Sequence, residues 1–358
     1  MRKYYTRPCN FYYGNYAEKL LRSGKALSVG GNKNICFDRL EIFQRKKGGV
    51  VKNDIYSISD IKSFKKEKLS LIKDDLKKIT STRKKIAGID FKTPKIMGIL
   101  NITPDSFSDG GLFFGESKAY EQANLMIKSG ASIIDIGGES TRPGSKIIDE
   151  NDEWERIKNT IIKLKKQFPK MTLSLDTRKS NIMKKGIESG VDIINDVSGL
   201  NFDKKSFNVI NSKNAPFVLH HMQGTPETMQ KNPKYIDALL DIYDFFDEKI
   251  SLCIKKNYKK KSIIIDPGIG FGKNLDHNLR IMSKISTFHS LGCPILIGTS
   301  KKRFIEHIAT KFDTPNRIGG TLASVLCGLL QGVQLFRVHD VKEINQGILV
   351  FNKILSAN

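Results

Sequence analysis

From residue 95 onward the sequence alternates short apolar runs with longer amphipathic stretches, and this rhythm limits the possible folds more than any other feature. Each run has four to six residues, mostly Ile, Leu and Val, as expected for strands buried on both faces of a parallel sheet. The eight runs are Ile96–Leu100, Ile133–Ile136, Met171–Leu175, Val191–Ile194, Pro216–Leu219, Ser262–Ile265, Cys293–Ile297 and Val333–Val338. Helical stretches lie between them, so the chain is expected to repeat a strand–helix unit.

A polar residue follows each of the apolar runs. In chain order these polar positions are Asn101, Glu139, Asp176, Asn195, His220, Asp266, Ser300 and His339. The carboxyl ends of all eight strands of a closed barrel meet at one mouth, whereas a doubly wound open sheet gathers them only where its strand order reverses. The pattern therefore predicts an α/β fold, a (β/α)8 TIM barrel over residues 95–358.

Residues 1–94 differ in texture and are predicted to form a small basic N-terminal α+β extension of unknown function. Residues 26–51 are typical of short strands joined by glycine turns. A lysine-rich stretch from Ile61 to Ile86 places its apolar residues near one face and most of its lysine pairs on the other, which predicts a surface helix. The domain boundary is expected near Thr93 and Pro94.

The formal net charge is +23, with 60 Lys and Arg against 37 Asp and Glu. The lysines lack interleaved aromatic residues and Gly-Arg repeats, so a solvated basic surface is favoured and nucleic-acid binding is not expected. A non-catalytic basic barrel that binds nucleic acid is kept as an alternative.

Five cysteines lie far apart without C-x-x-C spacing, and they are expected to be single buried thiols rather than zinc ligands or disulfides. No apolar run approaches the ~18 residues of a membrane span, and the N-terminus lacks the apolar core of a signal peptide. A cytoplasmic protein without membrane contact is therefore expected.

Two long loops at the predicted mouth carry residues suited to binding anions. The loop after Asn101 is rich in Thr, Asp, Ser and Gly and exceeds what a strand–helix connection needs, as is typical of a lid. The loop after Ile136 has two glycines, which let the backbone approach a ligand, and Arg142, which can donate to an oxyanion. Because a Pro-Gly turn follows Arg142, anion binding is favoured over a salt bridge at the rim.

Asp176 and Asn195 end two successive strands and are expected to point into the same mouth. Together they offer acceptors and donors that match a guanidine-like N–C–NH2 edge. Because a buried carboxylate without a partner is costly, Asp176 either pairs within the protein or receives a ligand, and the sequence leaves both open.

The adjacent His220 and His221 are a weak metal signal, because no further ligand has metal-site spacing. One of them is expected to be a core histidine or to support the site. The three alternating glycines after Asp266 lack the spacing of a dinucleotide-binding fingerprint. They predict a flexible loop with Phe271 as an aromatic wall.

Lys302, Arg337 and His339 fall at the ends of the seventh and eighth strands, where barrels most often bind phosphate. Ser300 lies close by, near a predicted helix N-terminus. These four side chains predict an anion site.

In order and spacing, four segments resemble the dihydropteroate synthase family: MGILNITPDSFSDGG, IDIGGESTRPG, DPGIGFGK and RVHDV. The match covers about residues 95–350. The resemblance implies a transferase of folate biosynthesis that condenses 6-hydroxymethyl-7,8-dihydropterin pyrophosphate with p-aminobenzoate. A pterin-binding methyltransferase of the same superfamily is the alternative, although it has no use for the pyrophosphate-binding cations.

The resemblance also implies roles for individual residues. The catalytic set is Asn101, Arg142, Lys302, Arg337 and His339. The pterin ring is held by Asp176, Asn195, Asp266 and Lys302, and the pyrophosphate by Asn101, Arg142, Arg337 and His339, with Asn101 helping to place a Mg2+ cofactor. The p-aminobenzoate pocket, where sulfonamides compete, contains Thr141, Pro143 and Phe271, with Met222, Ser300 and Arg303 as further substrate-binding candidates.

The loops that begin at Thr103 and Glu139 correspond to the family's mobile segments, and a homodimer built through the C-terminal helices is expected. Three positions depart from the family pattern: Lys301 replaces an Arg of many relatives, Arg303 a Ser of some, and Ile269 an aromatic of some. Arg303 either pairs with the carboxylate of p-aminobenzoate or crowds it.

Overall fold

The structure, a computed structural model, describes residues 2–46, 49–103, 111–142, 144–309 and 317–357, with residues 111–116 described by their backbone alone. An antiparallel sheet occupies the first part of the chain, and an eight-stranded parallel sheet occupies the rest.

The N-terminal sheet is built around one long strand. Its strands are β1 (Tyr4–Tyr13), β2 (Leu27–Val29), β3 (Asn32–Arg45) and β4 (Val51–Ser57). β1 pairs with one edge of β3, while β2 and β4 share the other edge. Helix α1 (Gly14–Arg22) follows β1, and a 3-10 turn at Ile58–Ser63 leads into α2 (Lys66–Thr80).

The extension contains the predicted mixture of strands and a lysine-rich helix, with different bounds. The helix covers only Lys66–Thr80, because the segment before it forms a separate 3-10 turn capped by the Ser57 side chain. Ile72 and Ile79 are fully buried, so the apolar face of the helix packs on the sheet. β1 and α1 were missed by the sequence reasoning, since Arg7 and Pro8 interrupt the apolar pattern of β1.

The barrel has eight strands and an outer layer of helices. The strands are β5 (Lys95–Asn101), β6 (Ile133–Gly137), β7 (Thr172–Asp176), β8 (Ile193–Asp196), β9 (Phe217–His220), β10 (Ile263–Asp266), β11 (Leu296–Ile297) and β12 (Leu335–Val338). The helices are α3 (Gly111–Lys128), α4 (Glu150–Gln167), α5 (Ser180–Glu188), α6 (Ser206–Ser212), α7 (Ala238–Lys255), α8 (Leu275–Ser283), α9 (Arg303–Ile308), α10 (Ile318–Leu330) and α11 (Val341–Leu355).

The strand order is that of a closed barrel. All neighbours in the series β10-β9-β8-β7-β6-β5-β12-β11 pair in parallel. A parallel bridge between Ile265 and Ile295 joins β10 to the segment before β11 and closes the ring. The predicted TIM barrel is therefore confirmed, and the open-sheet alternative is wrong.

The pleat of the strands sorts the barrel interior into layers, because residues two apart on a strand face the same side. The lower layer is an apolar floor made of Met97, Ile133, Ile193, Val218, Ile264, Leu296 and Leu335. Ile86 and Phe91 cover this floor from the side of the N-terminal extension. Two positions further along the same strands stand Ile99, Asp135, Asn195, His220, Asp266, Gly298 and Arg337. A polar layer thus rests directly on an apolar one.

The five cysteines are all free, four of them buried and Cys327 half-buried, as the sequence predicted. Within the described part of the chain, no helix is long and apolar enough to cross a membrane.

Hydrogen bonds and ion pairs join the N-terminal extension to the barrel. Arg2 Nη2 donates to both carboxylate oxygens of Asp75 at 2.5 Å, and its Nη1 donates to the hydroxyl of Tyr243 on α7 at 3.0 Å. Arg45 on β3 donates to Asp241 on α7 at 2.9 Å. The extension therefore packs on the outer surface of the barrel around α7 rather than at the mouth.

Glu41 on β3 carries the most densely bonded of these contacts. Its carboxylate is 1% exposed and accepts from Arg7 Nη1 at 2.6 Å, from Lys284 Nζ at 2.6 and 2.9 Å, and from Asn53 Nδ2 at 2.6 Å. Burial opposes ionisation, but the hydrogen bonds from Lys284 and Arg7 outweigh it and lower the pKa of Glu41. The ionised carboxylate is thus part of the folded state.

We predict that Glu41→Gln lowers the free energy of unfolding by about 2 kcal/mol or more at pH 7, because it leaves two cations without their buried partner. Because the pKa of Glu41 is lower in the folded protein, its ionised carboxylate stabilises the fold fully at pH values above its ordinary pKa of 4.5. This stabilisation is lost as the pH falls through the folded-state pKa. Urea unfolding should therefore show the difference shrinking on acidification below pH 4.5. The exposed Glu18→Gln, which breaks only a surface pair with Arg22, is the control and should change stability little.

Candidate functional site

The carboxyl ends of the barrel strands surround a small, partly open cavity of about 40 Å³, called here the inner cavity. Seven predicted site residues line it, namely Asn195, Asp266, Phe271, Ser300, Lys302, Arg337 and His339. The other lining residues are Ile99, Val197, His220, Ile269 and Gly298. This volume is well below the ~300 Å³ of a typical small-molecule pocket, so the side chains of the site fill much of the space themselves.

A second cavity of about 560 Å³, called here the outer cavity, opens beside the first. The predicted residues Asn101 and Arg142 line it, and Arg142 is exposed. Ile99 and His339 line both cavities. The predicted anion-binding residues therefore lie on both sides of one shared wall.

Arg337 bridges two buried carboxylates. Its Nε donates to Asp135 Oδ2 at 2.6 Å and its Nη2 donates to Asp176 Oδ2 at 2.7 Å. Asp135 is fully buried and Asp176 is 4% exposed. Of the two possibilities left open for Asp176, the structure contains the internal pair.

Burial raises the pKa of Asp176 to about 7, against the opposing charge of Arg337 and with the help of the neighbouring Asp135. Its second oxygen, Oδ1, is buried and has no hydrogen-bond partner among the described residues. Asp176 thus has one oxygen bonded to Arg337 and one without a partner, whereas a guanidine-like edge needs both oxygens.

Asn195 and Asp266 continue the polar layer on β8 and β10. Asn195 Nδ2 donates to Asp135 Oδ2 at 3.0 Å. Asp266 Oδ1 accepts from the backbone N–H of Gly268 at 2.8 Å. Burial raises the pKa of Asp266 to about 6, and the hydrogen bond from Gly268 opposes that rise.

Lys302 and Phe271 form one wall of the inner cavity. The Lys302 amino group lies 4.0 Å from the centroid of the Phe271 ring, a cation–π contact. Burial, followed by the charge of Arg337, lowers the pKa of Lys302 to about 8. Gly270 has φ 83°, and a Cβ there would lie 3.1 Å from Lys302 Cδ, so a side chain at this position would both strain the loop and crowd the lysine.

Lys273 stabilises the glycine-rich loop after Asp266 from the side away from the inner cavity's lining residues, through hydrogen bonds of its buried amino group. Its buried amino group contacts His221 Nδ1 at 3.0 Å and donates to the carbonyl of Phe271 at 2.8 Å. Burial lowers the pKa of Lys273 to about 7. Burial and the nearby lysine also hold both histidines neutral by lowering their pKa. His221 therefore supports the loop, while His220 lines the inner cavity.

Ser300 and His339 stand where the two cavities meet. Ser300 Oγ lies 3.0 Å from His339 Nδ1 and accepts from the His339 backbone N–H at 3.2 Å. Burial, followed by the charges of Arg337 and Lys301, lowers the pKa of His339 to about 3. The imidazole is therefore neutral near pH 7 when no anion is present.

A buried ion-pair network anchors the loop that carries Arg142. Glu139 accepts from Arg178 Nε at 2.9 Å, from Lys179 Nζ at 3.1 Å and from the backbone N–H of Ile148 at 3.0 Å. Lys179 also donates to Glu153 at 2.6 Å. Both ends of the loop between β6 and α4 are thereby held to the start of α5.

Among the described residues, the predicted Thr141, Asp176, Met222 and Arg303 line neither cavity. Thr141 and Met222 are half-buried, and Arg303 is exposed as the first residue of α9. Pro143 and residues 104–110 of the loop after Thr103 lie outside the described residues. Nothing in the structure tests the binding roles that the sequence assigned to these positions.

Sequence reasoning missed Asp135 and Lys273. Asp135 has a readable signal, because a lone acid inside the apolar run Ile133–Ile136 must face the barrel interior or the helices. Lys273 follows the last glycine of its loop and has no local signal, since its partners come from a different loop.

Comparison with known proteins supports, along the whole barrel, the family that the sequence motifs resemble. A family model described as pterin binding enzyme matches residues 97–339. The dihydropteroate synthase of Escherichia coli (strain K12) is 38% identical over 269 residues, which cover 75% of this chain and 94% of the relative.

Solved structures agree. The Yersinia pestis dihydropteroate synthase with a sulfonamide drug complex superposes with a TM-score of 0.71 at 37% identity, covering 75% of this chain and 97% of that one. The Xanthomonas albilineans dihydropteroate synthase in complex with 7,8-dihydropteroate has a TM-score of 0.68 at 30% identity, covering 75% and 97%.

We predict that Asp266→Asn raises the free energy of unfolding by about 1–3 kcal/mol at pH 7.5. Burial raises the folded-state pKa of Asp266, so its ionisation costs stability fully above about pH 6 and ceases to cost any as pH falls towards the ordinary value of 3.8. Urea unfolding should therefore show the gain at pH 7.5 and little of it at pH 4.5.

Asp203→Asn is the matched control with the opposite sign. Hydrogen bonds from Ser180 and from the backbone N–H of Lys205 outweigh burial and lower the pKa of Asp203, so its replacement should destabilise the fold at pH 7.5. A loss of stability for Asp266→Asn as large as that for Asp203→Asn would contradict the prediction.

Proposed function

The chain belongs to the dihydropteroate synthases, a family of pterin-binding enzymes, and on this basis we propose how its barrel carries out their reaction. It is a transferase that condenses 6-hydroxymethyl-7,8-dihydropterin pyrophosphate with p-aminobenzoate to 7,8-dihydropteroate and pyrophosphate, in folate biosynthesis. This assignment is favoured over the methyltransferase and nucleic-acid alternatives by the relatives' shared name and coverage.

The observation that carries the proposed mechanism is the polar layer at the inner cavity, where Asn195, Asp266 and Arg337 line the space and Asp176 is bonded to Arg337. The amino edge of a pterin is guanidine-like, and a guanidinium, that of Arg337, already donates to Asp176. We therefore assign the pterin edge to Asp176 and Asn195. Asp266 and Lys302 then contact the remaining heteroatoms of the ring, one as acceptor and the other as donor.

The pyrophosphate is assigned to the wall between the cavities. The guanidinium of Arg142 offers charged N–H donors from the outer cavity. The His339 imidazole lines both cavities and offers a further polar group. Once the pterin takes Asp176, Arg337 is the second arginine available to the leaving group. These groups stabilise charge that grows on the pyrophosphate as the bond breaks.

Asn101 fits a Mg2+ ion that arrives with the substrate. Among the residues described, no group of three or more His, Cys, Asp and Glu side chains could hold a metal alone. Mg2+ prefers oxygen ligands and often binds through one or two protein oxygens together with substrate phosphates. Bound there, Mg2+ supplies positive charge to the leaving group. Asn101 at the outer cavity offers such an oxygen and orients the phosphates.

The p-aminobenzoate is assigned to the outer face of Phe271, with Thr141 and Pro143 as further contacts, by resemblance to the family, while Met222 and Ser300 stay substrate-binding candidates without an assigned substrate. Its carboxylate is assigned to Arg303, which is exposed at the start of α9, directly after Lys302. A sulfonamide carries an aryl amine of similar shape, and a Yersinia relative is known with a sulfonamide drug. We therefore propose that sulfonamides compete for this pocket.

The chemistry needs no nucleophilic side chain. The bond between the pterin methylene carbon and the pyrophosphate oxygen breaks, the amine nitrogen of p-aminobenzoate forms a bond to that carbon, and the nitrogen loses one proton to solvent. Electrons of the dihydropterin ring stabilise the electron-poor methylene carbon. The protein contributes by holding the ring, by neutralising the leaving group and by positioning the amine.

We further propose a homodimer built through α11, because Leu349, Val350 and Ile354 are exposed by 62%, 57% and 61% on that helix. Residues 1–94 are proposed to be a separate extension without a part in the chemistry, since neither the inner nor the outer cavity is lined by them. The cytoplasmic location stays a prediction from the sequence.

The activity is tested by mixing the purified chain with both substrates and Mg2+ and measuring pyrophosphate release together with dihydropteroate. We expect turnover that EDTA abolishes and added Mg2+ restores. We also expect Asp176→Asn to lose pterin binding in calorimetry, because the amide cannot accept two donors as the carboxylate does.

Asp38→Asn, an isosteric change in the extension, is the control and should keep full turnover. No pyrophosphate release by the wild-type chain would contradict the reaction. Normal pterin affinity of Asp176→Asn would instead remove only that residue from its role.

We predict that Arg303→Ala raises the KM for p-aminobenzoate by about threefold to tenfold while kcat stays close to the wild-type value, as expected for loss of an exposed ion pair. Steady-state kinetics at varied p-aminobenzoate measures both constants. Arg22→Ala, at an exposed arginine of α1, is the matched control and should change neither. A lower KM for Arg303→Ala would mean that the arginine crowds the substrate.

A further inference from the structure

Asp135 is the one charged residue of β6, a strand that is otherwise Ile and Gly, and it is fully buried. Its Oδ2 accepts from Arg337 Nε at 2.6 Å and from Asn195 Nδ2 at 3.0 Å. Its Oδ1 has no hydrogen-bond partner among the described residues. A carboxylate at this depth costs free energy that an apolar side chain would not cost, which points to a function beyond packing.

Asp135 stands behind the binding surface rather than on it. Both of its partners, Asn195 and Arg337, line the inner cavity, whereas neither Asp135 nor Asp176 does. In the proposed binding mode Asp176 is uncovered when Arg337 leaves it, while Asp135 stays covered by both of its partners. Any effect of Asp135 on a ligand therefore passes through these two side chains.

The first effect concerns the orientation of the Asn195 carboxamide. The two ends of a carboxamide have nearly the same shape, and only their hydrogen bonds distinguish them. A carboxylate accepts and cannot donate, so the NH2 group of Asn195 must face Asp135. Its Oδ1 is then the atom left to accept an N–H of the pterin edge.

The second effect concerns Arg337. The inner cavity has a volume of only about 40 Å³, so a bicyclic ring enters only when a side chain that fills the space moves. Arg337 Nη2 occupies the Asp176 oxygen that the pterin edge would need. Its Nε bond to Asp135 is separate, so the guanidinium can leave Asp176 and still stay attached at the wall of the site.

We propose that Asp135 is a positioning residue of the pterin site: it fixes Asn195 with its oxygen towards the ring, and it retains Arg337 when the ring replaces that arginine on Asp176. This inference rests on the proposed pterin role of Asp176 and Asn195. Asp135 itself touches neither the ring nor the leaving group.

The test is an exchange of the two groups. Asp135→Asn lets the Asn195 carboxamide turn over, so an N–H can face the N–H of the ring. In the double variant Asp135→Asn with Asn195→Asp, position 195 has acceptors only, and an oxygen faces the ring again. The probe is 6-hydroxymethylpterin without pyrophosphate, with its Kd measured by calorimetry.

We expect Asp135→Asn to weaken pterin binding by about tenfold or more, the loss of one well-formed hydrogen bond. The double variant should recover to within about threefold of the wild type. A purely structural role for Asp135 predicts no such recovery, since the double variant changes two buried residues rather than one. Single-variant affinity equal to wild type, or a double variant no better than the single, overturns the proposal.

Two further measurements keep the outcomes separate. If Asp135→Asn does not fold, the double variant, which preserves one carboxylate and one amide in the pair, carries the test alone, and an affinity loss above about tenfold overturns the proposal. If the wild type binds the pterin and Asp176→Asn does not, but Asp135→Asn binds normally, only this inference fails. If the wild type itself does not bind the pterin, the proposed function fails.

Discussion

A guanidinium held between two buried carboxylates is the interaction on which the mouth of this barrel depends. Arg337 extends from β12 to Asp135 on β6 and Asp176 on β7, so one side chain joins strands that are not all neighbours in the sheet. Loss of either acid would leave the guanidinium with one carboxylate instead of two, and loss of Arg337 would leave two buried carboxylates without their shared cation, which is the costlier change. The apolar floor beneath excludes water and makes each of these contacts stronger. The ion pairs between Arg337 and the two acids thus hold the side chains of the polar layer in place.

The fold was largely predictable because its dominant signal is local. Buried parallel strands need apolar residues on both faces, so the sequence contains eight regularly spaced apolar runs. The polar strand ends then distinguish a barrel from an open sheet. β11, with only Leu296–Ile297 in strand geometry, was recognised because the run before it is apolar, not because it is a good strand. The N-terminal sheet was harder, since β1 is stabilised by partners such as Glu41 that lie far along the chain.

The candidate site was predictable only in part, for a physical reason. Positions at strand ends follow from the repeat, so Asp176, Asn195 and Asp266 could be named before the structure. Which groups pair with one another depends on distances across the barrel, and the sequence contains no such distances. Arg337 illustrates this limit: it was assigned to an anion from its place on the last strand, yet its bonds in the structure go to carboxylates.

Those bonds have a consequence for how the two halves of the first substrate bind. In the binding mode proposed above, the pterin edge takes the place of the similarly shaped guanidinium on Asp176, so the buried acid exchanges one donor for another. In that mode Arg337 keeps Asp135 but loses Asp176, and the pyrophosphate of the same substrate supplies a second anion for it. Because the displaced guanidinium keeps Asp135 but loses one of its two buried partners, the proposed binding mode lets ring and pyrophosphate stabilise each other's binding. The free protein thus holds in one arginine the charge that the leaving group needs.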